Sequence, residues 1–512
     1  MSSKVTYFLP KVLKYIALLS VFSLLLLFIQ SAFANREYEI GVFLLIALIL
    51  IAVTYLTSIS IPLKFFLPGI LFLTAFVIAP IVYTVAMSTV KYQTGNYISK
   101  TEAIERINLL AVAPDEAGTT FDVVTGKIDN EFAVLASDPI NKFYFLSTPT
   151  NRIDLDLGQL TIDENGIATS APNFKPSSND ESVSLDQDFT KFRFKYEGEY
   201  FIMMEGSSVG AVVRQTYTFN EKTGKFESLL DGQVYEDNGK GNFANANDSE
   251  DILQPGWRAP IWFSHYIDIV TNEKVRNPLM SVLLWTITFA GLTVLTQFAL
   301  GLLVAIAMNK AIRGRRIYRS IFILPYAMPS IMSILIWAGM FNTEFGAVNA
   351  LFNTDIAWFQ NSNFARFAVI LVNLWLGFPY FYLITSGAMQ AIPGDLSEAA
   401  EIDGASPRQV FTKITLPLLL KIVSPLLVAS FAFNFNNFNL IYLLTGGGPR
   451  NDLDGEVAGA TDILISYTYR IAFGTNVQDL GFASAISVII FFIVATISLY
   501  GIRKSKVLDT FS

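Results

Sequence analysis

Long apolar runs fill both ends of the chain, and a stretch of mixed polar and apolar residues separates them. A helix needs about 20 consecutive apolar residues to cross the hydrocarbon of a bilayer. Eight runs meet or approach that length: Val12–Phe33, Ile40–Ser58, Phe66–Thr89, Leu279–Met308, Ile317–Met340, Ala365–Met389, Leu418–Leu444 and Phe482–Ile502. The pattern predicts an α-helical polytopic membrane protein with about eight transmembrane helices. The intervening stretch changes period. Phe143-Tyr144-Phe145-Leu146 and Phe192-Arg193-Phe194-Lys195-Tyr196 are rich in strand formers. Val209–Phe219 and Lys225–Leu230 flank Asn220-Glu221-Lys222-Thr223-Gly224, a hairpin signal. Ile162–Ile167 reads as a second turn and Asn238–Asp251 as a polar loop. The expected division is three N-terminal spans in residues 1–90, an inserted extracytoplasmic β-rich domain in 91–277, and a core of five spans in 278–512 that includes a cytoplasmic loop at 391–417.

Composition agrees: 52% of residues are hydrophobic and 15% charged, where soluble domains run about 25% charged. The charge is unevenly placed. Residues 91–277 hold 29 of the 43 acids and 17 of the 36 bases. Lys4, Lys11 and Lys14 precede the first span, Lys310, Arg313, Arg315, Arg316 and Arg319 separate the fourth from the fifth, and Arg503, Lys504 and Lys506 follow the eighth. Basic residues gather on the cytoplasmic side of spans, so both termini are expected inside and the acidic insert outside. Arg408 and Lys413, between spans 6 and 7, fit the same alternation. The first span has a competing reading, because its bases, apolar core and Ala32-Phe33-Ala34 resemble a signal peptide with a small-residue cleavage site. Its length favours retention as a span. There is no cysteine and one histidine, His265, which excludes disulfides, thiolate metal sites and multi-histidine metal sites. His265 lies near Trp257 and Trp262 and is expected to be structural or interfacial. The net charge of −7 gives no support for nucleic-acid binding.

The loop at 391–417 carries the densest local signals. Asp395 followed by Glu398 predicts a helix start, Gly404 permits a sharp turn, and Ser406-Pro407 with Gln409 predicts a second capped start. Two short helices meeting at a glycine follow. Local physics leaves this open between a functional elbow and a plain interfacial one. Spans 5 to 7 carry polar and aromatic residues at helical spacing: Tyr326 and Ser330; Asn373, Gly377 and Tyr380; Ser430, Phe433, Asn434 and Asn437. Polar groups at membrane depth face a cavity or another helix. Asn and Ser suit sugar hydroxyls, the aromatics suit sugar rings, and Gly377 lets a ligand approach the backbone. Interhelical hydrogen bonding is the other reading of the same stripe. Asn436 and Asn439 are expected to face elsewhere. No carboxylate stands at mid-membrane in spans 5 to 7 to bind a coupling ion, which favours a neutral solute.

Glu398-Ala399-Ala400, Gly404, Ile414 and Leu416-Pro417 match the EAA signature of binding-protein-dependent ABC importer permeases. Leu324-Pro325-Tyr326-Ala327-Met328-Pro329-Ser330, Ser430 to Phe438, Leu443-Leu444-Thr445 and Gly447-Gly448-Pro449 resemble the MalF-type maltose/maltodextrin permease subunits in particular. The resemblance is strongest from Arg315 to Phe473. It implies a type I importer permease fold with a periplasmic domain after the third span, in a bacterial inner membrane. It implies sugar contacts at Tyr326, Ser330, Asn373, Leu376, Gly377, Tyr380, Ser430, Phe433, Asn434 and Asn437. It implies coupling to an ATPase through Glu398, Ala399, Ala400, Gly404, Ile414, Leu416 and Pro417. The partners implied are a second permease subunit of the MalG type, two ATPase subunits of the MalK type, a periplasmic maltose-binding protein, maltose or maltodextrin, and the lipid bilayer. No enzyme activity and no cofactor of its own are expected, and ATP belongs to the partner subunits: the chain has no Gly-x-x-x-x-Gly-Lys-[Ser/Thr]. A permease for another disaccharide such as trehalose, a secondary sugar transporter and a membrane-anchored sensor are the competing classes.

Overall fold

The computed structural model describes residues 3–35, 37–57, 61–129, 131–177, 191–310, 313–450, 457–474 and 477–504. Ser58, at the expected end of the second span, and Lys506 lie outside these residues. The chain forms two compact units, Met1–Ala86 and Met87–Ser512.

The first unit is helical: Ser3–Ala34, Tyr38–Leu56 and Ile61–Leu73, the last continuing through a π-turn at Thr74–Ile78 into Ala79–Met87. Prolines shape the third helix. Pro68 has no N–H to offer the Lys64 carbonyl four residues back, and the Tyr55 hydroxyl donates to that carbonyl instead at 2.5 Å. Pro80 removes another ladder donor just beyond the π-turn, where a wide turn is tolerated. Tyr38–Leu56 has 19 residues and spans about 28 Å at 1.5 Å per residue. Leu19, Phe65 and Phe76 remain exposed on these helices, which suits lipid rather than water.

In the second unit, residues 112–215 build a nine-stranded sheet. Thr120–Ile128 pairs antiparallel with Glu131–Asp138 and lies at its centre. One face buries Phe121, Phe145, Phe194 and Ile202, and the other buries Leu135, Leu146 and Phe174. A five-stranded meander follows, packed through Phe226, Tyr235 and Phe243 on the helix Lys100–Leu110. The expected hairpin forms with Tyr217 opposite Ser228 and Asn220 opposite Lys225, and Gly224 takes a φ of +68° in its turn. Two expectations need correcting. The strand around Phe192–Tyr196 shrinks to Phe194–Lys195, an edge held by only two residue pairs. The polar loop Asn238–Asp251 contains a buried strand, Phe243–Asn245.

This β-rich region is rooted on the helices. Val90–Lys91 pairs with Ala259–Pro260, and the Tyr92 carbonyl accepts from the N–H groups of Leu480 (3.0 Å) and Gly481 (3.1 Å) at the start of the last span. His265 is buried in this joint, with Nε2 3.3 Å from the Val90 carbonyl and its ring edge-on to Phe482. That is a structural position.

Among the described residues, six helices are long and apolar enough to cross a membrane. In the second unit these are Glu273–Asn309, Ser362–Ala391, Pro407–Phe435 and Leu480–Gly501. The expected fifth span is not one helix: Arg315–Ala327 and Ser330–Met340 meet at 93°. Met328 is extended there (φ −84°, ψ 142°), as a residue before proline prefers, and Pro329 cannot continue the ladder. Counted as one span, the pair makes seven, and the shorter apolar helix Ile40–Leu56 is the remaining expected one. The expected seventh span, Leu418–Leu444, also changes. It starts at Pro407, ends at Phe435, and resumes after Asn436-Asn437 as Phe438–Leu444.

Glu273–Asn309 and Ser362–Ala391 cross closely. A Cβ on Gly301 would sit 2.7 Å from Phe381 Cβ. Farther along, Gly447 (φ +82°) lies where a Cβ would meet Asp462 Oδ1 at 2.0 Å, and Asp462 pairs with Arg470 at 2.9 Å. The first glycine of the Gly447-Gly448-Pro449 segment thus leaves room for the ion pair of buried Asp462 with Arg470.

Gly301→Leu is expected to lower the stability of the purified protein by about 1–3 kcal/mol, the usual cost of overpacking. Gly291→Ala, on the same helix with open space at its Cβ, is expected to be neutral or to stabilise by up to about 1 kcal/mol. Thermal unfolding in detergent compares them, and equal effects would contradict the crossing.

Candidate substrate cavity and elbow

A cavity of about 600 Å³ opens among the fourth to seventh spans. Tyr326, Ser330, Asn373, Leu376, Gly377, Tyr380, Ser430, Phe433, Asn434 and Asn437 all line it. Helical spacing brings Asn373, Gly377 and Tyr380 together on Ser362–Ala391. It does not bring Tyr326 and Ser330 together, because the chain bends between them. Broken backbone at membrane depth is tolerated where it borders a cavity. Asn437 likewise lies beyond the end of its helix, at the start of Phe438–Leu444.

The aromatic rings are open. Tyr326 is 56% and Phe433 69% exposed, and the Tyr326 and Tyr380 rings lie near-parallel with centroids 6.5 Å apart. Two buried amides of the lining are already paired. Asn373 Nδ2 donates to Asn434 Oδ1 at 2.8 Å, and Asn434 Nδ2 donates to the Ser430 carbonyl at 2.9 Å. The two readings of the polar stripe therefore divide by residue. Asn373 and Asn434 tie two helices together, while Ser330, Asn437 and the aromatics face open space.

Two polar lining residues escape the sequence reading. Gln297, on the fourth span, is 3% exposed and donates from Nε2 to the Asn373 carbonyl at 2.6 Å. The available signal was a side-chain amide inside a long apolar run. Asn439 lines the cavity too, which corrects its expected outward placement. A helix unbroken through Asn437 would put Asn439 about 200° around from it, but the helix ends at Phe435. Asn436 does face elsewhere, into a separate cleft with Ile465, Thr468 and Phe491.

The loop at 391–417 forms an elbow. Ser362–Ala391 stops before Pro393, with Ile392 extended. The elbow helix is Asp395–Ile402, and its N-cap is Gly394 rather than Asp395. Asp395 and Glu398 sit in its first turn, where carboxylates favour the helix dipole. Gly404 turns the chain at φ +83°. The Ser406 N–H then donates to Gln409 Oε1 at 2.8 Å, the predicted capping box. Pro407–Val410 is no separate helix. A π-turn at Phe411–Thr415 joins it to Leu416–Phe435 as one span of 29 residues, and Pro417, just past that turn, supplies no ladder N–H.

The signature residues split by exposure. Leu416 packs against the cluster of Leu302, Ala388, Leu419 and Val423, and Ile414 and Ala400 are half-buried. Glu398, Ala399, Gly404 and Pro417 are exposed. Ile402 at the tip, not singled out by the sequence reading, is 86% exposed. An apolar tip beside an exposed carboxylate is a surface suited to another protein. Among the described residues no cluster of His, Asp or Glu could hold a metal ion.

Residues 297–506 match the family described as binding-protein-dependent transport system inner membrane component. The maltose/maltodextrin transport system permease protein MalF of Vibrio vulnificus is 36% identical over 460 residues, which cover 86% of this chain and 85% of that protein. The MalF proteins of Salmonella typhimurium and Escherichia coli are 35% and 33% identical, over 86% of this chain and 87% of each relative. Among solved structures, a chain of the bacterial alginate ABC transporter, in complex with its alginate pentasaccharide-bound periplasmic protein, is 21% identical with a TM-score of 0.42, covering 48% of this chain and 83% of that one.

Proposed function

This chain belongs to the family of MalF-type maltose/maltodextrin transport system permease proteins, and we propose that it carries maltose or maltodextrins across the inner membrane as the permease subunit of an ATP-driven importer. The observation that carries the reading is the meeting of ten sugar-suited residues around one cavity, on helices that run into the exposed Glu398 elbow.

The cavity divides the work of binding. Tyr326, Tyr380 and Phe433 offer apolar faces to sugar rings. Ser330, Ser430, Asn437 and Asn439 offer donors and acceptors to hydroxyls. Asn373 and Asn434 share one bond, and the acceptor capacity that this bond leaves on their side-chain oxygens is available to a hydroxyl. Among the described residues no acidic or basic side chain lines the cavity, which supports a neutral solute. Energy comes from outside the chain, as its sequence holds no phosphate-binding loop. ATPase subunits of the MalK type receive the elbow, with Glu398 paired to one of their basic residues and Ile402 seated in an apolar recess. A second permease of the MalG type completes the pathway, and a maltose-binding protein delivers sugar outside. The basic flanks of the first, fourth and eighth spans support cytoplasmic termini and a periplasmic β-rich domain.

Another disaccharide such as trehalose has the same hydroxyl and ring chemistry. Uptake of a panel of labelled disaccharides into vesicles holding the complete complex tests the reading. Maltose and short maltodextrins are expected to be preferred.

Asn437→Ala is expected to raise the apparent KM for maltose about tenfold, the loss of one hydrogen bond of about 1.4 kcal/mol. Asn436→Ala, on the other side of the chain, is expected to change it less than twofold. Equal losses would place the sugar elsewhere. Glu398→Lys reverses the charge of an exposed group and is expected to abolish uptake while the chain still inserts. Unchanged uptake and sugar-stimulated ATP hydrolysis in the complex would remove Glu398 from the coupling surface.

A further inference from the structure

Gly377 borders the cavity, and the sequence alone suggests that its missing side chain makes room for a ligand. The structure gives the room to another residue. A Cβ on Gly377 would stand 2.0 Å from Gln297 Nε2 and 2.3 Å from Gln297 Cδ. Gln297 therefore fills the notch over Gly377. From there it donates to the carbonyl of Asn373 at 2.6 Å, the same carbonyl that the helix ladder gives to the Gly377 N–H. Asn373 in turn donates to Asn434. Gln297 comes from Glu273–Asn309, Asn373 from Ser362–Ala391 and Asn434 from Leu416–Phe435. Two side chains, Gln297 and Asn373, thus link three spans at the wall where the sugar groups are displayed. Gly387, on the same helix as Gly377, has nothing within 4 Å of its would-be Cβ, so the notch is local.

We propose that Gln297 is a positioning residue of the cavity: seated in the Gly377 notch, it holds Asn373 at the depth and angle at which Asn373 and Asn434 present their amides to the sugar. The proposal rests on the cavity being the sugar site. Without Gln297 the Asn373 side chain and its helix are free to shift, and the amide pair loses its register. With a methyl at residue 377, Gln297 is expelled and pushes against the same helix.

A mutant cycle in the reconstituted complex tests this, reading KM and maximal uptake rate for labelled maltose together with thermal unfolding. Gln297→Ala is expected to raise KM about fivefold with a maximal rate within about twofold, the pattern of lost binding rather than lost turnover. Gly377→Ala is expected to lower uptake efficiency by about tenfold or more, or to prevent assembly, since a Cβ contact under 3 Å forces its neighbour to move. The double variant Gln297→Ala/Gly377→Ala is expected to recover to the level of Gln297→Ala alone, because its methyl meets an empty notch. Gly387→Ala is the neutral control. The proposal is overturned if the double variant stays as poor as Gly377→Ala, which would give the space to the ligand, or if Gly377→Ala alone behaves as the unmodified protein. It is also overturned if Gln297→Ala lowers the unfolding temperature and leaves KM unchanged, which would make Gln297 a packing residue only. Asn437→Ala in the same preparation separates the two readings: if it leaves KM unchanged, the sugar site lies elsewhere, while the Gln297–Gly377 rescue still reports on the notch.

Discussion

Hydrocarbon offers no hydrogen-bond partner, so an amide placed inside a membrane span has to find one within the protein. That constraint organises the centre of this molecule. Gln297 donates to the Asn373 carbonyl, Asn373 to Asn434, and Asn434 back to the Ser430 carbonyl. Each bond crosses from one helix to the next or closes on its own helix, and together they fix how the fourth, sixth and seventh spans are rotated about their axes. Once those rotations are set, so is the list of side chains left facing the cavity. Phe433 is exposed to it and Tyr380 half-buried at its edge.

The breaks in the helices obey the same rule. Irregular backbone leaves N–H and C=O groups unpaired, and within a bilayer it survives only where protein or a wet cavity receives them. Met328-Pro329 and Asn436-Asn437 are the interruptions nearest the cavity, and Met328 and Asn437 both line it. Each break presents residues that a continuous helix would have turned away. Three prolines inside the spans are absorbed more quietly, Pro68 by the Tyr55 hydroxyl and Pro80 and Pro417 by the π-turns beside them.

The sequence was legible where one rule acted alone. Apolar length marked the six helices that, among the described residues, are long and apolar enough to cross, flanking strand formers with Gly224 marked the Asn220 hairpin, and Ser406 with Gln409 marked the cap beyond Gly404. All ten residues assigned to the cavity do line it. What stayed hidden depended on partners distant in the chain. Gln297 belongs to no stripe, and its role needs Gly377 across a helix crossing 80 residues away. Asn439 was set aside by counting through a helix that in fact stops at Phe435. The buried strand Phe243–Asn245 looked like loop because its neighbours are Asn and Gly, yet Phe243 packs on Phe226 and Trp257. The separate fates of Asn373 and Asn437 could not be read from spacing, since both are amides on a polar face and only the helix opposite decides which one is paired.

The elbow and the cavity are two ends of the same pair of helices. Ser362–Ala391 runs into the elbow at Pro393, and Pro407–Phe435 leaves it after Gly404. Leu416 and Ala388, near those ends, share one apolar cluster with Leu302 of the fourth span, so the elbow is seated on the bundle rather than hung from a flexible loop. At the cavity the same two helices meet again through Asn373 and Asn434. A displacement applied to Asp395–Ile402 therefore has two attachment points, one beside the elbow and one at the cavity. A hydrogen bond worth about 1 kcal/mol is strong enough to set the register of the two helices at rest and weak enough to be exchanged when they shift.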